Sequence, residues 1–259
     1  MTGQGVSVSV VVPVRDDAVA LERCLALLAR QSLAPLEVVV VDNASSDDSA
    51  AVARRWGAVV VAEPRVGIPA AAACGYDAAR GTVIARLDAD SCPGPDWVAT
   101  IAARMGAEPG LDALTGVGRF VDLPAGLRAP VCAAYLGAYY GLTRLAAGHT
   151  TLWGSSMAVR RAAWLAVRDD VVRDDPEVHD DLDLAFRLGR RHTVRLDRSL
   201  RVGVSARSLR GRGQRRRRVE RAWRTLRINW AVAPPWERWR ASTAARAGRR
   251  RVRQAGADA

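Results

Sequence analysis

The chain has 259 residues, 49% of them hydrophobic, with 39 Lys plus Arg against 27 Asp plus Glu and a net charge of +12, which is long and apolar enough to bury a full core and excludes a disordered chain. Every basic residue is arginine, so a phosphate-loop lysine, a Schiff-base lysine and a kinase lysine are all ruled out. The charge is uneven: residues 1–200 carry 21 Arg against 24 acids, and residues 201–259 carry 18 against 3, so the basicity belongs to the C-terminal segment.

Val6 to Val14 reads as a strand, apolar through its centre as a strand covered on both faces requires. Leu21, Leu25 and Leu28 recur at helical spacing and predict a helix over Ala18 to Arg30. Val38 to Val41 is a second strand ending on Asp42, followed by a turn and helix start and then helix to about Trp56. Ala58 to Ala62 is a third strand, Pro64 to Gly67 a loop, and Ala70 to Arg80 a helix with Gly81 as its C-cap. Val83, Ile84 and Leu87 form a short buried strand from whose end Asp88 and Asp90 emerge together. Ligands of open α/β sheets bind outside the carboxyl ends of the strands. A carboxylate pair there can hold a hard cation such as Mg²⁺ through one or two carboxylates plus substrate phosphates. The same pair could simply cap the helix that starts near Pro95.

Further on, Leu114 to Val121 and Ser155 to Arg160 read as strands, and Pro130 to Ala146 and Asp180 to Arg190 as helices. Asp180, Asp181 and Asp183 crowd the first turn of the last helix, where the helix dipole favours carboxylates. Alternating strands and helices predict βαβ units on a mainly parallel sheet. The turn after the first strand, Pro13-Val14-Arg15-Asp16-Asp17, lacks the glycines of a dinucleotide fold. Cys24, Cys74, Cys92 and Cys132 have no C-x-x-C spacing, which predicts reduced thiols and no zinc site. No run reaches the length of a membrane span, and no signal-peptide pattern opens the chain, so a cytoplasmic location is expected.

The ordered set of Val10 to Val14 with Asp16, Val38 to Asp47, Arg65 to Gly81, Asp88-Ala89-Asp90, Trp153 to Ser156 and Asp180 to Leu184 resembles the family-2 glycosyltransferases. The likeness runs from Val8 to about Arg218. It implies a Rossmann-like, nucleotide-binding mixed sheet flanked by helices, the glycosyltransferase A-type fold, over residues 1–206. A basic, Arg/Trp-rich helical tail over 207–259, partly disordered at its end, completes the expected layout. The activity implied is hexosyltransferase-like: one sugar moves from a nucleoside-diphosphate sugar to an acceptor hydroxyl with inversion, in cell-envelope glycan, glycolipid or secondary-metabolite synthesis. Asp42 looks like the carboxylate that binds base or ribose, and Arg65 the loop residue that fixes the nucleotide. Asp88 would sit near the ribose, and Asp90 would ligate the Mg²⁺ or Mn²⁺ bound to the diphosphate, with Asp88 and His179 as further candidate ligands. Asp181 matches the catalytic base. Pro13, Val14, Arg15, Ala89, Gly154, Ser155 and Asp180 complete the expected donor site.

Two departures stand out. Arg15 and Asp16 occupy the positions where the family often has an aromatic and Asn, and the acid pair is Asp180-Asp181 where the family has Glu-Asp. Gln214 and Arg217 match part of the processive Gln-x-x-Arg-Trp pattern, but Arg218 replaces its Trp, so a non-processive enzyme is expected. In the tail, arginine clusters alternate with Val219, Trp223 and Leu226, and Trp230, Trp236 and Trp239 follow. That pattern fits a helix lying on an anionic membrane, at the inner face of the cell membrane, where a lipid-linked acceptor would be presented. It fits equally a helix packing Trp223, Leu226 and Trp230 onto the catalytic body. The rival functions are a pseudoenzyme that binds a nucleotide sugar without turnover and a nucleic-acid binder acting through the arginines. No reader motif supports the second.

Overall fold

The computed structural model describes residues 5–189, 191–209 and 211–240. Strand β1 (Val8–Val14) pairs in parallel with β2 (Glu37–Asp42), which pairs in parallel with β3 (Val59–Ala62). On its other side β1 pairs in parallel with β4 (Val83–Arg86). Helices α1 (Ala18–Leu28), α2 (Ser49–Arg55) and α3 (Ile68–Ala78) make the connections. After β4 come β5 (Cys92–Pro93), α4 (Trp97–Ala107), β6 (Ala113–Phe120), α5 (Ala125–Ala147), β7 (Met157–Arg160) and α6 (Arg161–Val167). Then follow α7 (Asp180–Leu188), β8 (Val194–Val204), a 3₁₀ turn (Ala206–Leu209) and α8 (Arg212–Val232). The strands form one mixed sheet in the order β3-β2-β1-β4-β7-β6-β8-β5, with β7 antiparallel to both β4 and β6.

The valine runs are explained by two buried faces. Val10, Val12, Val40 and Ala85 point into a core shared with α1 and α4, while Val11, Val39, Val41 and Ile84 pack against α3, α6 and α7. Strand order 3-2-1-4 makes the chain reverse direction across the sheet between β1 and β4, so a crevice opens at their carboxyl ends. Val14 is paired with Asp42, so β1 and β2 end level, whereas β4 stops at Arg86 opposite Val11, three residues short of the end of β1.

Several expectations are corrected. β8, the longest strand, reads as no element in sequence, because Arg195, Arg198 and Arg201 break its apolar alternation on a half-exposed strand. Helix α5 starts five residues before Pro130, which lies inside it. Gly81 is not a left-handed cap: α3 ends at Ala79 in an extended conformation. Gly81 instead lies against β1, where a Cβ would sit 2.7 Å from the Ser9 nitrogen. In the basic segment, Leu226 and Trp230 pack on Ala147, Leu182 and Phe186, whereas Val219, Trp223, Trp236 and Trp239 remain exposed. The boundary expected at 206/207 falls at the 3₁₀ turn between β8 and α8. The end of the expected tail, 241–259, lies outside the described residues.

Candidate active site at the strand ends

Arg86, the last residue of β4, is 3% exposed and so must be paired. One guanidinium nitrogen donates to Asp88 Oδ1 at 3.0 Å, and the other donates to Asp180 Oδ2 at the start of α7. Thus Asp88 and Asp180, almost a hundred positions apart, share one buried cation. Asp88 Oδ2 accepts a second hydrogen bond, 2.6 Å from the Ser155 hydroxyl. Gly154 is glycine for a reason of space: a Cβ there would fall 2.8 Å from the Arg86 guanidinium. The Gly154 N–H donates to Asp181 Oδ2 at 2.8 Å, which brings Asp181 to the same loop.

The three acids of α7 divide their work. Asp180 turns to Arg86 and Asp181 to Gly154, whereas Asp183 is buried and accepts from the Val172 N–H and the Asn229 amide, both at 2.8 Å. Asp183 is structural. Burial pushes the Asp180 carboxyl up to about 6, against the pull of Arg86. His179, a candidate ligand in sequence, has its ring Nε2 3.3 Å from the Arg218 carbonyl, and burial lowers its pKa.

Asp90 is mostly buried, and that burial, with Asp88 beside it, pushes its carboxyl up to about 6. Its ion-pair partner is Arg207 in the 3₁₀ turn, whose Nε lies 3.0 Å from Asp90 Oδ2 while Nη2 donates to Asp17 at 2.6 Å. Among the described residues no three His, Cys, Asp or Glu side chains gather to cage a metal. The Asp88–Asp90 pair offers hard oxygen donors and excess negative charge, which fits a divalent cation whose remaining ligands come from phosphates. Arg207 stands there as a cation of the chain's own.

The loops after β1 and β2 complete the crevice. Asp16 and Ala44 are non-glycine residues with positive φ, 51° and 56°, a conformation held only where surroundings impose it. Here the loops lock together: the Ser46 N–H donates to Asp16 Oδ1 at 2.6 Å, and the Asp16 N–H donates to Ser45 Oγ. The Ser46 N–H and hydroxyl, both donating to it, hold the Asp16 carboxyl below its usual range. Asp42 Oδ1 accepts from the Ser45 N–H, and Pro13, Val14 and Arg15 run beside it. Arg65 is gripped by Glu63 and by Asp174. Asn43 holds this loop from below, donating to the Glu63 and Arg65 carbonyls and accepting from the Gly67 N–H.

Asp42, Asp88, Asp90, Gly154, Ser155, Asp180 and Asp181 therefore line one end of the sheet, and Ala89 is buried between the two aspartates. Sequence reading missed Arg86, Arg207 and Asn43. An arginine inside an otherwise apolar strand was the available signal for the first. For Arg207 none existed, since it is one arginine among many in that segment.

A family model described as "Glycosyl transferase family 2" matches residues 9–163. An uncharacterized glycosyltransferase of Mycobacterium tuberculosis is 37% identical over 126 residues, 49% of this chain and 54% of that protein. Glycosyltransferase AglE of Haloferax volcanii is 30% identical over 127 residues, 46% of this chain and 38% of that protein. The match thus spans about half the length of the mycobacterial relative and less of the archaeal one. Among solved structures, a mannosyltransferase from Pyrobaculum calidifontis in complex with GDP-Man and Mn²⁺ superposes with a TM-score of 0.65 at 23% identity, covering 94% of this chain and 75% of that one. Glucosyl-3-phosphoglycerate synthase from Mycobacterium tuberculosis, in complex with Mn²⁺ and UDP-Glc, gives 0.61 at 20% identity, covering 87% and 79%. At such identities the likeness is one of fold, the glycosyltransferase A-type fold.

Proposed function

The chain belongs to glycosyl transferase family 2, and from that premise we propose that it transfers one sugar from a nucleoside-diphosphate sugar to an acceptor hydroxyl, with inversion and with a divalent cation. The observation that carries the reading is the Arg86 hub, which holds Asp88 and Asp180 on one cation with Asp181 on the adjoining Gly154 loop. A donor-side carboxylate and an acceptor-side carboxylate are thereby kept at a fixed separation.

Asp42 and the Arg65 loop bind the nucleoside end of the donor, and Asp88 orients the ribose. Asp90, with Asp88, would hold Mg²⁺ or Mn²⁺, which when bound neutralises the charge developing on the diphosphate leaving group. Asp181 takes the proton from the attacking hydroxyl on the face opposite that leaving group. One base and no protein nucleophile make a single displacement, hence inversion. His179 is a weaker ligand candidate, because its ring is turned to Arg218.

The acceptor is a hydroxyl compound, and the reading extends to a lipid-linked one used in cell-envelope glycan or glycolipid synthesis at the cytoplasmic face of the membrane. The two structural neighbours are complexes with different nucleotide sugars, GDP-Man in one and UDP-Glc in the other. Calorimetry with UDP, GDP and dTDP in Mn²⁺ is therefore the test. Binding of one nucleotide, abolished by chelation, is expected. Folded protein that binds none of the three would sink the proposal.

A further inference from the structure

Helix α5 has two unlike faces. Inward, Cys132 and Leu136 are buried, the Tyr139 hydroxyl donates to the Leu152 carbonyl at 2.6 Å, and Tyr135 meets Arg218 beside the acid cluster. Outward, Leu127, Val131, Leu142 and Leu145 are exposed, Leu142 to 69% and Leu145 to 64%. No charged residue occurs between Ala129 and Thr143. An aliphatic helix face left in water is a surface waiting for a partner.

The basic segment continues that face. Trp239 Nε1 donates to the Leu145 carbonyl at 2.7 Å, and Trp230 Nε1 donates to the Ala146 carbonyl at 3.1 Å. Trp223 meets Trp230 edge-on at 5.8 Å. Leu145 and Trp239 thus adjoin, with Leu142 one turn back on the same helix face and Trp223 joined to α5 through Trp230; the Trp239 N–H is already satisfied, and its half-exposed ring presents mostly carbon. Arg144, Arg227 and Arg240 border this ridge, all exposed, and none forms an ion pair among the described residues.

We propose that the α5–α8 ridge seats the protein on an anionic lipid surface, with Leu142, Leu145 and Trp239 entering the headgroup boundary and the three arginines meeting lipid phosphates. Exposed aliphatics, tryptophan and arginine on one face are the composition of an interfacial contact. A second copy fits less well, since a two-fold contact would bring the arginines of both ridges into one interface with no carboxylate from either ridge to meet them. No helix among the described residues is long and apolar enough to cross a membrane, so the protein would lie on the surface. The surface also differs from a tail folded as a free amphipathic helix, because Leu226 and Trp230 are used up against Leu182 and Phe186. Its purpose rests on the lipid-linked reading of the acceptor: the inner face of α5, one helix diameter away, carries the tyrosines beside Asp181.

Co-sedimentation of the full chain with vesicles of phosphatidylcholine, with and without phosphatidylglycerol, tests this. The wild type should pellet with the anionic vesicles, less so as salt rises, and Leu142→Glu with Leu145→Glu should weaken that partition by about tenfold or more. Leu142→Ser with Leu145→Ser serves as a milder pair if the first does not fold, and Arg144→Glu with Arg227→Glu should act in the same direction. Equal partition of wild type and folded variants, or no partition of the wild type, would overturn the proposal. So would a dimer in sedimentation velocity that the leucine variants split, since the ridge would then belong to a second copy. Nucleotide calorimetry on the same variants keeps the issues apart. Variants that lose lipid binding while keeping nucleotide binding support the ridge, a wild type that binds a nucleotide but no anionic vesicle refutes the ridge alone, and a wild type that partitions onto vesicles but binds no nucleotide refutes the donor reading alone.

Discussion

At Arg86 a full charge sits where only 3% of the residue reaches solvent, and the cost of that burial is met by Asp88 and Asp180. Around this pair the carboxylates have separable tasks. Asp90→Ala should abolish both metal-dependent nucleotide binding and turnover. Asp181→Asn should leave nucleotide binding near the wild-type value in calorimetry while lowering kcat by about 10²–10⁴-fold, the size of a proton-transfer contribution. Full activity in Asp181→Asn would move the base to another acid of α7. Arg207 competes with any cation for Asp90, since its Nε lies 3.0 Å from that carboxylate. Arg207→Ala should therefore bind Mn²⁺ more tightly than the wild type when no nucleotide is present, as read by the free-Mn²⁺ signal in electron paramagnetic resonance. Unchanged affinity would mean that Arg207 leaves the carboxylate at no cost.

Elements position these residues through close packing. Where α3 crosses the sheet, Gly75 lets the helix approach so closely that a Cβ would fall 2.4 Å from Val11 Cγ1 and 2.8 Å from Val41 Cγ2. Gly75→Ala should cost about 1–3 kcal/mol by overpacking, visible as a lower urea midpoint with unchanged slope. At the end of α5, His149 fills the space that Gly189 leaves, with Nδ1 2.7 Å from the Thr150 carbonyl and Nε2 buried without a partner among the described residues. Burial lowers its pKa. A histidine kept neutral in the folded state contributes stability that is lost as pH falls through the unfolded value of about 6.5, with a slope of at most about 1.4 kcal/mol per pH unit. His179 acts with the same sign, whereas Asp180 and Asp90, both raised to about 6, oppose it as pH falls toward 6. Urea midpoints should therefore drop between about pH 7.5 and 6.5, and His149→Gln should flatten that dependence. An unchanged slope in the variant would show that His149 titrates normally.

On the scale of the whole molecule, the basic segment is tied to the body by specific contacts. Asn229 donates to Asp183, Thr225 accepts from the His179 N–H, and Arg238 lies over the Phe186 ring. A chain ending at residue 206 would uncover Leu182 and Phe186, at about 1.5–3 kcal/mol each. It would also remove a donor from the buried Asp183, worth about 1–3 kcal/mol. Together these approach the whole stability of an ordinary domain, about 5–15 kcal/mol. The truncated chain should show no cooperative urea transition. A sharp one would mean that residues 1–206 fold alone.

Sequence by itself determined the parallel half of the sheet, because strands covered on both faces need unbroken apolar runs, and Val8–Val14, Val38–Val41 and Val83–Ile84 can be little else. It also marked Asp42, Asp88 and Asp90, since polar residues closing such runs must emerge at the strand ends. Tertiary structure alone decided the rest. β8 is a strand only because β6 is there to pair with, and the two-residue β5 only because β8 is. Asp180, Asp181 and Asp183 share one helical turn and look alike in sequence, and their different roles come from Arg86, Gly154 and Asn229, which lie far away along the chain. The direction of each tryptophan in the basic segment was likewise undetermined until α5 and α7 offered a surface. Local patterns report how much of an element is buried. Which group a buried charge meets depends on contacts between distant segments, and no local pattern records those.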